Sequence, residues 1–200
     1  MYKIGLTGGI ASGKSTATQV LRAEGAAVVD ADIVAREVVA PGTQGLRDIV
    51  RAFGAEMIRR DGTLDRERLA ASVFGNEENR RKLNGILHGH IKARIEEEAR
   101  AFEAEGHRIV VYDIPLLVEA GWYRETDEVW LLYVPAEIQK ERLVKRDGFT
   151  EAEADARIAS QMPVEEKKRY ADVVIDNTGT EEELRHRMQT LWRRVREAHA

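Results

Sequence analysis

The sequence predicts an α/β fold: a five-stranded parallel sheet flanked by helices, with a helical insertion after the second strand and a small helical lid. Three observations lead there. The stretch Gly8-Gly9-Ile10-Ala11-Ser12-Gly13-Lys14-Ser15 has the pattern G-x-x-x-x-G-K-S, follows directly on the apolar run Tyr2-Lys3-Ile4-Gly5-Leu6-Thr7, and opens a helix pattern. Strand, loop, helix and strand then fit into about 30 residues, a βαβ unit whose almost invariably right-handed crossover implies parallel strands. Three more short apolar runs, at 108–113, 127–134 and 172–175, alternate with helical patterns.

Taken in order, the first strand delivers the chain into the glycine-rich loop. Such a loop turns backbone N–H groups inward, which is how a row of phosphate charges is held with least bulk. The helix that follows points its partly positive start at the same place, Lys14 adds a mobile full charge, and the Ser15 hydroxyl is placed to bind magnesium. With this composition a chance match to the four fixed positions is on the order of one in three hundred, so the loop is read as a nucleotide site formed by Gly8 to Thr16. Ala17, Val20 and Leu21 give the first helix its apolar face and Gly25 stops it. Ala26-Ala27-Val28-Val29 is a short buried strand ending in Asp30-Ala31-Asp32, at the carboxyl edge of the sheet where ligands sit. This second strand is expected beside the loop strand.

From Ile33 to Gly106 strand signals fade. Helices are predicted at roughly 32–39, 43–53, 65–74, 76–87 and 89–105, broken at Pro41-Gly42, Asp61-Gly62-Thr63 and Gly75-Asn76. A connection this long is read as a substrate-binding insertion, residues 31–106. His88 and His90 stand at i and i+2, which on one regular helix cannot face the same way, so a metal pair is not expected.

The third strand, Arg108 to Asp113, is closed by an acid and by Pro115; the fourth, Asp127 to Val134, by Pro135. Ala136 to Asp147 is a helix on which Arg142, Lys145 and Arg146 share a face by i, i+3, i+4 spacing, a candidate phosphate clamp. Thr150-Glu151-Ala152-Glu153 is a capping box opening a helix to about Gln161, ended by Pro163. The intervening Asp147-Gly148-Phe149 reads as the hinge of a lid over 136–169, or as a plain helical hairpin. After the fifth strand a second capping box, Thr180 to Glu183, begins a last helix with Leu184, Met188, Leu191 and Val195 as its apolar stripe. The nucleotide-binding core is thus assembled from 1–30, 107–135 and 170–200.

Composition narrows the function. There is no cysteine, which excludes a disulfide scaffold, a zinc–cysteine centre and thiol catalysis and suits a reducing cytoplasm. No apolar run approaches the roughly 18 residues of a membrane span, and no leader pattern opens the chain. A net charge of −4 with 6% aromatic residues argues against a nucleic-acid partner.

Phosphoryl transfer to a hydroxyl needs a donor cradle, a metal, cations for developing charge and an acceptor for the hydroxyl proton. For the last, the candidates are Asp30, Asp32, Asp113 and the more distant His88. Asp30 serves equally well as a helix cap. Asp32 lies past the strand and is either the base or a favourable dipole partner at a helix start. Asp113 has the place of an acid that holds magnesium through water, or simply terminates its strand.

The residues at these positions resemble the dephospho-coenzyme A kinase family over nearly the whole chain. The matching stretches are Leu6 to Ile10 with Ser12 to Ser15, Val29-Asp30-Ala31-Asp32 with Ala35-Arg36, Asp113 to Glu119, and Asp172 to Asn177. The resemblance implies the P-loop kinase fold and ATP-dependent phosphorylation of the ribose 3′-hydroxyl of dephospho-coenzyme A, with Mg2+. It implies that Asp32 is the base; Lys14 from the loop motif and Arg142 and Arg146 from their shared face are read as the catalytic cations beside it. It places Pro115, Leu116, Leu117 and Glu119 against the acceptor and Asn177 beside the adenine; Arg36 and His88 are further candidate acceptor-binding residues. The family usually has His-Pro where this chain has His88-Gly89, and a Gly leaves free the φ that a helix-starting Pro fixes. A monomeric cytoplasmic enzyme without nucleic-acid or membrane partners is expected. The nearest rival is another small-molecule or nucleotide kinase of the same fold. A GTPase would need Asn-Lys-x-Asp, which the sequence lacks.

Overall fold

The computed structural model describes residues 1–199. Five strands form one parallel sheet in the order β2-β3-β1-β4-β5: β1 (Tyr2–Gly8), β2 (Ala27–Asp30), β3 (Ile109–Asp113), β4 (Glu128–Tyr133) and β5 (Val173–Asp176). The expectation for the second strand is corrected here. It is β3, not β2, that lies beside the loop strand, with Leu6 opposite Asp113. Tyr2 to Leu6 meets its β3 partners residue for residue, Ile4 against Val111, and the fully buried apolar run of β3 suits an interior strand.

The chain divides into two compact units, residues 1–29 with 102–200, and residues 30–101. In the first, alternate strand residues feed opposite faces. Ile4, Leu6, Val111, Trp130 and Leu132 face α1 (Lys14–Ala23) and α9 (Glu181–Ala198), meeting Ala17, Val20 and Leu21 of the former and Leu184, Met188 and Trp192 of the latter. On α9 it is Trp192 that completes the buried stripe while Leu191 sits at its edge. The indole N–H of Trp192 donates to the Glu24 carbonyl at 3.3 Å. The other face takes the loop after β3: Tyr112 packs edge-to-face on Trp122 at 6.3 Å, and a Cβ on Gly5 would come within 2.5 Å of the Leu117 side chain. Leu117 is fully buried, so Gly5 is needed for that approach. Helices α6 (Ala136–Asp147), α7 (Glu151–Ala159) and α8 (Val164–Lys167) belong to this same unit. Both expected capping boxes are formed, at Thr150–Glu153 and Thr180–Glu183.

The second unit holds α2 (Ala31–Glu37), α3 (Gln44–Phe53), α4 (Arg66–Val73) and most of α5 (Glu77–Ala104). The two helices expected either side of residue 88 are one, 28 residues long. A glycine costs a helix only about 1 kcal/mol relative to alanine. Gly85 and Gly89 lie inside α5 with nothing within 4 Å of their Cβ positions. The strong helix formers in the two flanks, Glu77 to Leu83 and Lys92 to Ala101, carry the helix through, so Gly89 begins nothing and the His-Pro departure does not redirect the chain.

Candidate active site

The loop between β1 and α1 is held open by side chains from elsewhere in the first unit. Ala11 (φ 57°) and Gly13 (φ 86°) are both left-handed. At Gly13 a Cβ would also collide with Asn177 Nδ2, so only glycine serves there. Asn177 is buried and its Nδ2 donates to the Ser12 carbonyl at 2.8 Å. Arg142 spans the same two segments, Nη1 donating to the Ala11 carbonyl at 3.1 Å and Nη2 to the Asn177 carbonyl at 2.7 Å. The Ile10 N–H donates to Gln161 Oε1 at 3.0 Å. Helical bonding begins only with the Ala17 N–H to the Gly13 carbonyl at 3.2 Å. The N–H groups of Lys14, Ser15 and Thr16 are therefore left over at the helix start, with the positive end of the helix dipole behind them.

The β3 position explains Lys14. Its Nζ forms an ion pair with Asp113 Oδ1, and Thr18 Oγ1, one helical turn on, donates to Oδ2 at 2.6 Å. Asp113 is buried, so it needs both partners. Ser15 is exposed and Thr16 half-buried at the start of α1.

The three cations of α6 do not converge as their spacing suggests. Arg142 alone turns to the loop. Lys145 pairs with Glu141 at 2.5 Å and Arg146 with its neighbour Asp147 at 2.8 Å, both on the exposed side. A carboxylate lies within reach of each on its own helix, which is a shorter route to charge neutrality than a shared face.

After β3 the two leucines part: Leu116 is exposed whereas Leu117 is core, so only the first can meet a ligand. Pro115 offers its carbonyl to Thr7 Oγ1 at 3.0 Å and to Lys167 Nζ at 3.3 Å. Glu119 pairs with fully buried Lys167 at 2.9 Å. Thr18, Gln161 and Lys167 were not singled out from the sequence. The position of Thr18 four residues after Lys14, on the same helical face, was the one available signal.

In the second unit the two carboxylates at the start of α2 stand differently. Asp30 is the N-cap, accepting from the N–H groups of Asp32 and Ile33 at 3.0 and 3.2 Å. Asp32, in the first turn, is exposed, as are Arg36 on α2 and His88 on α5. Arg94 of α5 holds the end of α2 through Glu37 at 3.3 Å while also meeting Glu97 and Glu98. His90 turns to Asp48 Oδ2 at 2.9 Å. Among the described residues no three His, Cys, Asp or Glu side chains cluster as a metal centre.

The dephospho-CoA kinase family model matches residues 2–183, which takes in every one of these groups. The chain belongs to that family. The dephospho-CoA kinase of Anaeromyxobacter dehalogenans is 50% identical over 184 residues, 92% of this chain and 87% of that protein. Among solved structures, a Thermus thermophilus protein superposes with a TM-score of 0.79 at 34% identity, covering 95% of each chain. The dephospho-CoA kinase of Campylobacter jejuni gives 0.76 at 28%, covering 99% and 98%. As a dephospho-CoA kinase family member the chain is an ATP-dependent phosphotransferase. No helix among the described residues is long and apolar enough to cross a membrane.

Proposed function

We propose that the chain transfers the γ-phosphoryl group of ATP to the ribose 3′-hydroxyl of dephospho-CoA, giving coenzyme A and ADP. The observation that carries this is the open phosphate loop, with Lys14 paired to Asp113, in a chain matched by the family model from residue 2 to residue 183. Gly8 to Thr16 receive the donor phosphates, the N–H groups at the start of α1 facing the charge. Lys14 exchanges Asp113 for the β- and γ-phosphates, where its charge is worth most as the transferring group separates. The ribose 3′-oxygen attacks the γ-phosphorus, the bond to the β–γ bridging oxygen breaks, and Asp32 takes the hydroxyl proton. That Asp30 caps α2 supports giving the base's role to the neighbouring Asp32.

Arg142, at the loop already, stabilises charge on the leaving ADP. Arg146 joins it by giving up Asp147 as α6 and α7 close. Asn177 borders the adenine. Arg36, His88, Pro115, Leu116 and Glu119 bind the acceptor, with Leu117 supporting Pro115 and Leu116 from the core. Ser15 and, through water, Asp113 are hard oxygen donors of the kind Mg2+ prefers. The metal would neutralise phosphate charge there. The enzyme acts as a cytoplasmic monomer.

The test is an ADP-release assay comparing dephospho-CoA with adenosine, AMP and pantothenate. Dephospho-CoA is expected to be preferred by orders of magnitude. A preference for any of the other three overturns the assignment.

A further inference from the structure

Three successive residues of the phosphate loop are each held by one side chain from a distant element. Asn177 takes the Ser12 carbonyl, Arg142 the Ala11 carbonyl, and Gln161 the Ile10 N–H at 3.0 Å, 151 residues away. The first two grip acceptors. Gln161 alone grips a donor, and because a backbone amide can only donate, the oxygen end of its carboxamide must face the loop. Ile10 precedes the N–H groups left over at the start of α1, so this bond restrains the loop without using those groups.

Gln161 is itself fixed. The N–H of the next residue, Met162, donates to Glu119 Oε1 at 3.2 Å, and Lys167 Nζ reaches the same oxygen at 2.9 Å. Lys167 has no exposed surface and also donates to the Pro115 carbonyl, which Thr7, the residue before Gly8, bonds as well. Residues 161–167 thus form a strap anchored at one end by buried Lys167, paired with Glu119, and at the other by the loop.

We propose that Gln161 is a positioning residue for the nucleotide phosphates. By holding the Ile10 amide it sets the first limb of the loop before ligand arrives, and the Lys167–Glu119 pair sets Gln161. Without it the loop must be ordered at the moment of binding, a cost that comes out of affinity. The proposal rests on the nucleotide reading of the loop.

The test is an equilibrium titration of the intact chain with a non-hydrolysable ATP analogue and, separately, with adenosine, alongside amide exchange at Ile10 by NMR. Gln161→Met keeps the length and removes the acceptor; Gln161→Glu keeps an acceptor oxygen. Gln161→Met should weaken the analogue about 3- to 10-fold, the range of one net hydrogen bond. It should leave adenosine, which has no phosphates, within about twofold. Ile10 protection should fall in Gln161→Met and return in Gln161→Glu. Unchanged analogue affinity in Gln161→Met, equal weakening of analogue and adenosine, or Ile10 protection indifferent to the substitution each overturns the proposal. A parent chain that does not bind the analogue overturns the nucleotide reading itself, a result distinct from those three.

Discussion

Replacing Lys14 by Met separates what that lysine does for the fold from what it does for the reaction. The side chain is 20% exposed and its partner Asp113 4% exposed. Breaking an exposed pair costs about 0–1 kcal/mol and breaking a buried one about 3–5 kcal/mol, because the remaining charge is stranded. Asp113 keeps the Thr18 hydroxyl at 2.6 Å, which places the expected loss between those limits, at about 2–4 kcal/mol. At roughly 2–4 °C per kcal/mol for a chain of this size, the melting temperature should fall by about 4–16 °C. Activity should fall too, since a charge-assisted contact of about 1.5–3 kcal/mol corresponds to roughly 10- to 150-fold in kcat/KM. In Lys14→Met with Asp113→Asn the stranded charge is gone. Thermal melts should then recover more than half of the lost stability while the coupled ADP assay shows no recovery of rate. If the double variant melts with the single one, or the single variant melts within about 1 °C of the parent, the buried-pair argument is refuted.

The carboxylates should separate by assay. Asp32→Asn is expected to leave ATP affinity nearly unchanged and to lower kcat by about 10²–10⁴, the worth of a positioned base; Asp113→Asn should instead weaken Mg·ATP binding, and a titration with magnesium that restores Asp32→Asn would show the roles exchanged. Arg142→Ala removes the bridge between the Ala11 and Asn177 carbonyls and should raise KM for ATP about tenfold while lowering kcat. Arg146→Ala should lower kcat with little change in ATP binding, since Arg146 pairs with Asp147 and not with the loop; equal affinity losses in the two variants would count against this division. Hydrogen bonds from His90 and Gln44 hold the Asp48 carboxyl below the usual range. Because the folded value is the depressed one, the stabilisation is present above an ordinary Asp value near 3.9 and is lost as pH falls through the folded value. Thermal melts of Asp48→Asn should therefore lose less stability below about pH 4 than the parent does.

Local chemistry was enough to read much of this protein. The phosphate loop is specified by residues adjacent in the chain, since glycines that accept positive φ, a helix start and Lys14 need no distant partner to be recognised. Helix α6 has its expected limits because Pro135 and Gly148 punctuate it, and the capping boxes at Thr150 and Thr180 each lie within four residues. Where sequence reading failed, the deciding free energy was nonlocal. Gly89 is a weak breaker that a long helix overrides, and Leu191 yields the buried position to Trp192 because the packing of α9 on α1 fixes the helix rotation.

Spacing gave Arg142, Lys145 and Arg146 one face, yet only the fold put the Ala11 and Asn177 carbonyls within reach of one of them and carboxylates within reach of the other two. Strand order was likewise invisible in the strands themselves. The choice of β3 over β2 as neighbour to β1 decides that Asp113, not Asp30, receives Lys14, and Asp30 is left to cap its own helix. Which residues can bind phosphate, cap a helix or accept a proton is legible along the chain, because those capacities belong to a residue and its near neighbours. Which of them meet is set by the fold: Gln161 with Ile10, Lys167 with Glu119, Lys14 with Asp113. Contacts between residues scores of positions apart are selected by the summed packing of the sheet and its helices, a quantity no local pattern encodes.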